Sequence, residues 1–386
     1  MGLLSLIGDY FVPFVVILGI LVFVHELGHY WVARRCGVRI ESFSIGFGPE
    51  IVGWNDRSGT RWKVSLLPLG GYVKMFGDAD ATSARPAKGA PEEDEAGGWA
   101  KGRTRPLTED EKRHSFHHKT VWQRIAIVAG GPGSNFLFAI VILAGFFVFI
   151  GQPTTPPVIG SVVADSAAAD AGLRAGDRIV AVNGTAIDRF EQIQRIVQIN
   201  LSAPLDLTVL RDGETISLSA RPRLVEAQDP FGNTQQTARL GITASGTEYV
   251  RHGPVEAVWS GVTETFDLAW STLKAVGQMI TGARSADDLG GPIRIAEMSG
   301  AVAADGIVTV LWFMAVLSIN LGLINLFPVP MLDGGHLLFY AVEAVRGRPL
   351  GERTQEIGFR IGLALVLSLF VFTTWKDIAR LELFSF

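Results

Sequence analysis

Only one cysteine, Cys36, is present among 386 residues, so neither an intramolecular disulfide framework nor a cysteine-rich zinc module can form. Charge is scarce too: Asp, Glu, Lys and Arg make up 19% of the chain, below the ~25% usual for soluble domains. The 34 basic and 38 acidic residues leave a net charge of −4, and no basic stripe marks a surface for nucleic acid, so none is expected as a partner. Gly130, Gly131 and Gly133 have the spacing of a phosphate loop, but the Gly-Lys-Ser/Thr ending is missing, and close helix packing is the better reading. Met1–Tyr10 has no basic residue and carries Asp9, and no small-x-small cleavage site follows the next apolar run. Both points argue against a secretory signal peptide.

What the chain does have is apolar length. Ile125–Ile150 holds no charge over 26 residues, and Gly306–Phe327 holds none over 22. As helices, both can cross a hydrocarbon core of ~30 Å. Ile361–Trp375 is shorter, but Arg360 and Lys376 at its ends can snorkel to the interfaces. With about Phe11–Ala33, four spans are expected, and the lipid bilayer is the first partner. Arg34, Arg35 and Arg39 follow the first span, and Lys112, Arg113, Lys119 and Arg124 precede the second. Arg346, Arg348 and Arg353 separate the third and fourth, whereas no Lys or Arg lies between Gly151 and Leu173. The positive-inside rule then puts 34–124 and 340–358 in the cytoplasm, with both termini and 151–305 outside.

The expected segments are span one at 1–34 and a cytoplasmic β-loop with a mobile insertion at 35–121. Span two follows at 122–151, then a small domain at 157–223 and a hairpin plus amphipathic helix at 224–305. Span three takes 306–339 and span four 357–378. Within the first connection, Thr60–Met75 is rich in strand formers around a Pro-Leu-Gly-Gly break, whereas Asp78–Ser115 is polar and rich in Pro, Gly and charge. In the external segment, Asp212-Gly213 between two alternating runs marks a hairpin. The stretch GLRAGDRIVAVNG (172–184) resembles the signature of PDZ domains, which bind peptide segments by strand addition. Trp259, Val262, Phe266, Trp270, Leu273 and Ile280 recur at helical spacing, as in a helix lying on the outer membrane surface.

The chemistry concentrates in HELGH, 25–29, at the end of the first apolar run. Ionisable residues in a membrane span are costly and are usually functional. On a helix, His25 and His29 stand at i and i+4 and can grip one metal ion, while Glu26 beside them can take a proton from water. Zinc hydrolases normally use three protein ligands. Arg34 lies nine residues beyond His25, roughly 14 Å along the helix. Span three descends from Gly306 toward Asn325–Phe327 and runs into PVPMLDGGH, where Asp333 is the first charge after Asp305. That topology brings Asp333 to the leaflet of His25 and His29; His336, three residues on, is the competing ligand. Asn135 either lines the site or packs between helices.

HELGH, GPGSNFLFA (131–139), one PDZ signature and NLFPVPMLDGG (325–335) together resemble the bacterial site-2 proteases, intramembrane zinc metalloproteases of the regulator-of-sigma-E protease type. The resemblance runs from the first span to the fourth, except for the 78–115 insertion. It implies a polytopic α-helical membrane protein with four transmembrane helices, a membrane-associated β-loop on the cytoplasmic side and one extracytoplasmic α+β PDZ domain. It also implies Zn2+ held by His25, His29 and Asp333, with Glu26 as catalytic base and Asn325 positioning the substrate. Gly70, Gly71 and Tyr72 would belong to the β-loop that receives unwound substrate. The implied setting is the bacterial inner membrane. Single-pass membrane proteins are the implied substrates, an anti-sigma factor of an envelope stress response among them, and a peptide or protein segment would occupy the PDZ domain. Where some family members carry two tandem PDZ domains, one signature is found here. Two rival classes stay open: a non-catalytic PDZ scaffold whose metal is structural, and a metal transporter using the same ligands as a transit site.

Overall fold

The computed structural model describes residues 7–78, 90–93, 99–199, 203–228, 234–246, 248–281 and 290–380. A π-helical turn, Ile7–Phe11, leads into α1 (Val12–Arg35), then β1 (Ile40–Asn55), β2 (Arg61–Met75) and a hairpin of β3 (Ala90–Glu93) with β4 (Trp99–Arg105). Next come α2 (Glu109–His114), a 3-10 turn at Phe116–His118 and α3 (Val121–Phe149). The following elements are β5 (Gln152–Thr154), β6 (Ile159–Val162), α4 (Ala167–Asp170), β7 (Arg178–Val182), β8 (Thr185–Ala186), α5 (Phe190–Ile199), β9 (Leu205–Arg211) and β10 (Glu214–Ala220). Then β11 (Arg223–Gln228), β12 (Thr234–Arg239), β13 (Ile242–Ala244) and β14 (Glu248–Val250) precede α6 (Pro254–Ile280), α7 (Pro292–Asp305), α8 (Ile307–Asn325), α9 (Asp333–Arg346) and α10 (Glu352–Arg380). Two compact units result: Met1–Leu143 with Ser260–Thr281 and Ala286–Phe386, and Ala144–Trp259 with Gly282–Ser285.

Among the described residues, four helices are long and apolar enough to cross a membrane: Gly8–Arg35, Val121–Phe149, Ile307–Asn325 and Arg353–Ala379. Glycine sets the crossing of α1 and α3. A Cβ on Gly28 would collide with Gly130 O, and a Cβ on Gly130 would lie 2.8 Å from Gly28 O. The backbones therefore touch, as small residues at membrane helix crossings allow. Ser134 Oγ reinforces the contact by donating to Val24 O at 2.7 Å. At the far end, Asp377 on α10 caps α7, accepting from the N–H groups of Gly291, Ile293 and Arg294 at 3.0–3.1 Å. Gly300 of α7 lies so close to Asp9 and Tyr10 that a side chain would not fit. The start of span one and the end of span four thus both pack against α7.

The β-loop extends beyond the strand-rich stretch at 60–75. Its other half is β1, and both strands bend so that Ser42–Ile45 pairs with Arg61–Val64 on one side and Gly71–Lys74 on the other. The lateral order is 50–55, 61–67, 40–47, 71–75. The sheet is fixed to α1 by aromatic packing: Phe43 stacks on Trp62 at 4.2 Å, and Tyr30 meets both edge-on. Asp56 in the turn accepts from Trp62 Nε1 at 3.0 Å, Thr60 N at 2.9 Å and Tyr30 Oη at 3.2 Å. Ile51, Val52, Trp54, Leu66 and Leu67 stay exposed, an apolar surface suited to a lipid environment.

The insertion expected over 78–115 lies partly outside the described residues, and its end is ordered. A capping box starts α2: Thr108 Oγ1 accepts from Glu111 N at 3.3 Å, and Thr108 N donates to Glu111 Oε2 at 2.8 Å. His117 Nε2 sits 2.8 Å from the carboxylate of buried Asp78.

The second unit is built on the strand order β10-β9-β7-β8. In β9, Leu205, Leu207 and Val209 alternate inward against Ile179 and Val182 of β7 and Ile193 of α5. The expected boundary at 223 falls short. Ala238 and Leu240 are part of the core, and β13 pairs with β6 across a long stretch of sequence, Ile242 opposite Val162. A groove of about 680 Å³ runs between α5 and the 238–243 segment.

Asp177 in the 172–184 signature is the electrostatic pin of this unit. It accepts from Arg211 Nε and Nη2, both at 2.7 Å, and from Arg174 N at 2.8 Å, while 1% exposed. The Arg211 hydrogen bonds hold its carboxyl below the usual carboxylate range, against the opposing effect of burial. A depressed folded pKa contributes stability that is full above the unfolded value of ~3.9 and is lost as pH falls through the folded value. Asp177→Ala should destabilise this unit, because Arg211 and the Arg174 amide lose their shared acceptor. Hydrogen exchange of the β7 and β9 amides in the full chain reads this. Protection in the wild type should fall with acid below pH ~4, and the variant should lack that acid step.

Candidate metal centre

The site grows from two helix ends and a turn. The apolar run of α1 carries His25, Glu26 and His29, all three buried. Span three ends at Asn325 because Pro328 and Pro330 cannot continue it, and the chain restarts as α9 at Asp333. The connection is crammed: a Cβ on Gly335 would lie 2.5 Å from Val329 O, and one on Gly334 would strike Leu326 O and Phe327 O. Met331 takes φ +117, a region that side chains rarely adopt, so this turn is held under strain. Gly362 of α10 leaves room for Pro330 against that helix.

The result brings three donors together. His25 Nε2 is 3.1 Å from Asp333 Oδ2, His29 Nε2 is 3.4 Å from the same oxygen, and the two Nε2 atoms are 3.3 Å apart. A tetrahedral ion with bonds of ~2.0–2.1 Å separates its ligand atoms by about 3.3 Å. The spacing fits zinc. Asp333 Oδ2 is buried with no N–H aligned on it as a hydrogen-bond donor, as expected of an oxygen reserved for a cation. His29 Nδ1 donates to Ile127 O at 2.9 Å, which turns Nε2 toward the centre.

Asp333, and not His336, joins this cluster among the described residues. His336 instead packs against the rings of Tyr340 and Phe359. Glu26 opens on a cavity of about 550 Å³, also lined by Gly70, Gly71, Tyr72, Asn325 and Asp333. Gly71 is pressed on α1, where a Cβ would lie 2.8 Å from Val22 Cγ1 and 3.0 Å from Glu26 Cγ. The edge strand 71–75 borders this cavity and, among the described residues, pairs on one side only. Asn135 is different. It is fully buried, lies 3.1 Å from His25 Nδ1, and does not line the cavity.

Sequence reasoning missed two supports of the centre. One is the Ile127 carbonyl, which no side-chain pattern announces. The other is Gly131: a Cβ there would meet His29 Cε1 at 2.6 Å and His25 Cε1 at 2.9 Å, so both imidazoles rest on a bare backbone. The double glycine at 130–131 was visible, but its two tasks, helix crossing and ring support, were not separable without the fold.

Comparison with known proteins agrees with this chemistry. A chain from Agrobacterium fabrum, named as a candidate zinc metalloprotease, is 44% identical over 99% of this chain and 98% of its own length. Metalloprotease MmpA of Caulobacter vibrioides is 39% identical over 96% of this chain and 95% of its own. Among solved structures, the PDZ domain of an SdrC-like protein from Listeria monocytogenes covers 25% of this chain and 93% of that domain, at 21% identity and a TM-score of 0.20. The model of peptidase family M50 matches residues 13–369, and the chain belongs to that family, the site-2 proteases.

Proposed function

We propose that this chain is an intramembrane zinc endopeptidase that cleaves single-pass membrane proteins near the cytoplasmic side of the bilayer. The observation that carries the reading is the tetrahedral spacing of His25 Nε2, His29 Nε2 and Asp333 Oδ2 beside Glu26. When bound, zinc would supply the Lewis acidity that makes water a nucleophile at neutral pH. Glu26 then takes the proton of the attacking water and passes it to the leaving amine. Asn325, at the end of α8, has both an amide donor and an acceptor to hold the substrate backbone. A transmembrane helix hides its amides in its own hydrogen bonds, so it must unwind before cleavage. The open edge of 71–75 can hold the released strand through Gly71 and Tyr72, with Gly70 before it at φ +125 allowing the approach.

The bacterial inner membrane is the proposed location, with the termini and the 151–305 segment outside, on the distribution of Lys and Arg. The second unit would bind a peptide or protein segment in its α5 groove and test whether a substrate's outer domain has been trimmed. A chain lacking 157–245, which removes the core strands of that unit and its α5 groove, should lose that discrimination. An anti-sigma factor of an envelope stress response is the substrate suggested by the site-2 resemblance.

The direct test is purified chain in detergent with a model transmembrane peptide. Cleavage should stop with a strong chelator and return with added zinc. Cleavage that persists in zinc-free chain would overturn the proposal.

A further inference from the structure

The two imidazoles of the centre are held differently. His29 has a backbone carbonyl on Nδ1, so that nitrogen keeps its proton and Nε2 keeps its lone pair. His25 has the same need, because its Nε2 is the atom that faces Asp333 and His29. Its Nδ1 must therefore carry a proton and give it to an acceptor. The group beside Nδ1 is the side-chain amide of Asn135, at 3.1 Å.

An amide can present either its NH2 or its carbonyl, two ends alike in shape. With the NH2 toward His25, Nδ1 must accept, the proton moves to Nε2, and the ring cannot ligate through the nitrogen that faces Asp333. In that orientation Asn135 Oδ1 is buried with no partner. A half-turn of the amide puts Oδ1 on the Nδ1–H instead. Either orientation leaves one amide atom unpaired, so hydrogen-bond satisfaction does not choose between them. Ligation through Nε2 does.

We propose that Asn135 is a positioning residue for the metal centre: its carbonyl oxygen accepts from His25 Nδ1 and fixes the tautomer that presents Nε2 to zinc. The role rests on reading His25 and His29 as ligands, and it replaces a direct substrate contact, since Asn135 is fully buried away from the cavity. Span three holds it there. Ser318 Oγ donates to Asn135 O at 2.8 Å, and Gly322 stands so close to Asn135 Cβ that its own Cβ would be 3.2 Å away. The same helix that leads to Asp333 thereby presses the orienting amide onto His25.

The test measures zinc affinity by chelator competition on the full chain in detergent, in a Glu26→Gln background so that no readout depends on cleavage. Asn135→Leu keeps the shape and removes the acceptor, and zinc should bind 10- to 100-fold more weakly, the usual cost of losing such a partner (~10–100-fold). Asn135→Asp restores an acceptor and should bind zinc as tightly as Asn135 or more tightly. Unchanged affinity in the Leu variant would overturn the role, and so would an Asp variant as weak as Leu, which would point to shape alone. His25→Ala separates the two levels of the argument. If it binds zinc like the unmutated chain, the ligand reading itself fails.

Discussion

Glu26→Gln should keep its zinc and lose cleavage by a factor of ~10²–10⁴, the usual contribution of a general base. The substitution changes one oxygen for a nitrogen in a buried position of α1, so the ligand rings and the packing of Gly71 on Glu26 Cγ are preserved. What disappears is an acceptor for the proton of the attacking water. Peptide cleavage assayed beside zinc content checks both halves of the statement. The outcome also separates the rival classes. A scaffold with a structural metal would function unchanged in the variant, and a transporter would carry zinc into vesicles without depending on a base. Loss of cleavage with loss of zinc would instead mean that Glu26 supports the metal and is not the base.

Gly131→Ala should abolish zinc binding, and activity with it. The added methyl would occupy the space of both imidazoles, with His29 Cε1 and His25 Cε1 inside 3 Å of it. Neither ring can retreat easily, since His29 is tied to Ile127 O and His25 to the Asn135 amide. A shift of either ring breaks the spacing that a tetrahedral ion requires. Gly133→Ala is the matched control, two residues along the same helix with nothing within 4 Å of a new Cβ. There the substitution should be neutral or stabilising by up to ~1 kcal/mol through helix propensity. Zinc per chain in the two purified variants decides the matter.

The parts of this molecule legible in its sequence are those written in local periodicity. The charge-free runs announce the four long helices, and the i, i+4 spacing of His25 and His29 announces their shared face. Asp333 can be chosen by following the chain through the membrane, but what separates it from His336 is the turn at 328–332, which directs Asp333 inward. Long-range register was not legible. Nothing local in Ile40–Asn55 says that Ser42 will pair with both Arg61 and Lys74. Likewise, β13 is three residues long, and its place in the second unit comes from pairing with Ile159–Val162 and from packing of Ile242 and Ala244 on the core. The Asn135–His25 contact depends on a helix crossing that Gly28 and Gly130 create together, 102 positions apart along the chain.

The centre stands or falls on its third ligand. Zinc per chain, counted in purified wild type, Asp333→Ala and His336→Ala, is the most direct measurement. The account predicts about one zinc in the wild type and in His336→Ala, with Asp333→Ala nearly empty because zinc sites of this kind use three protein ligands. Full zinc in Asp333→Ala together with its loss from His336→Ala would contradict it.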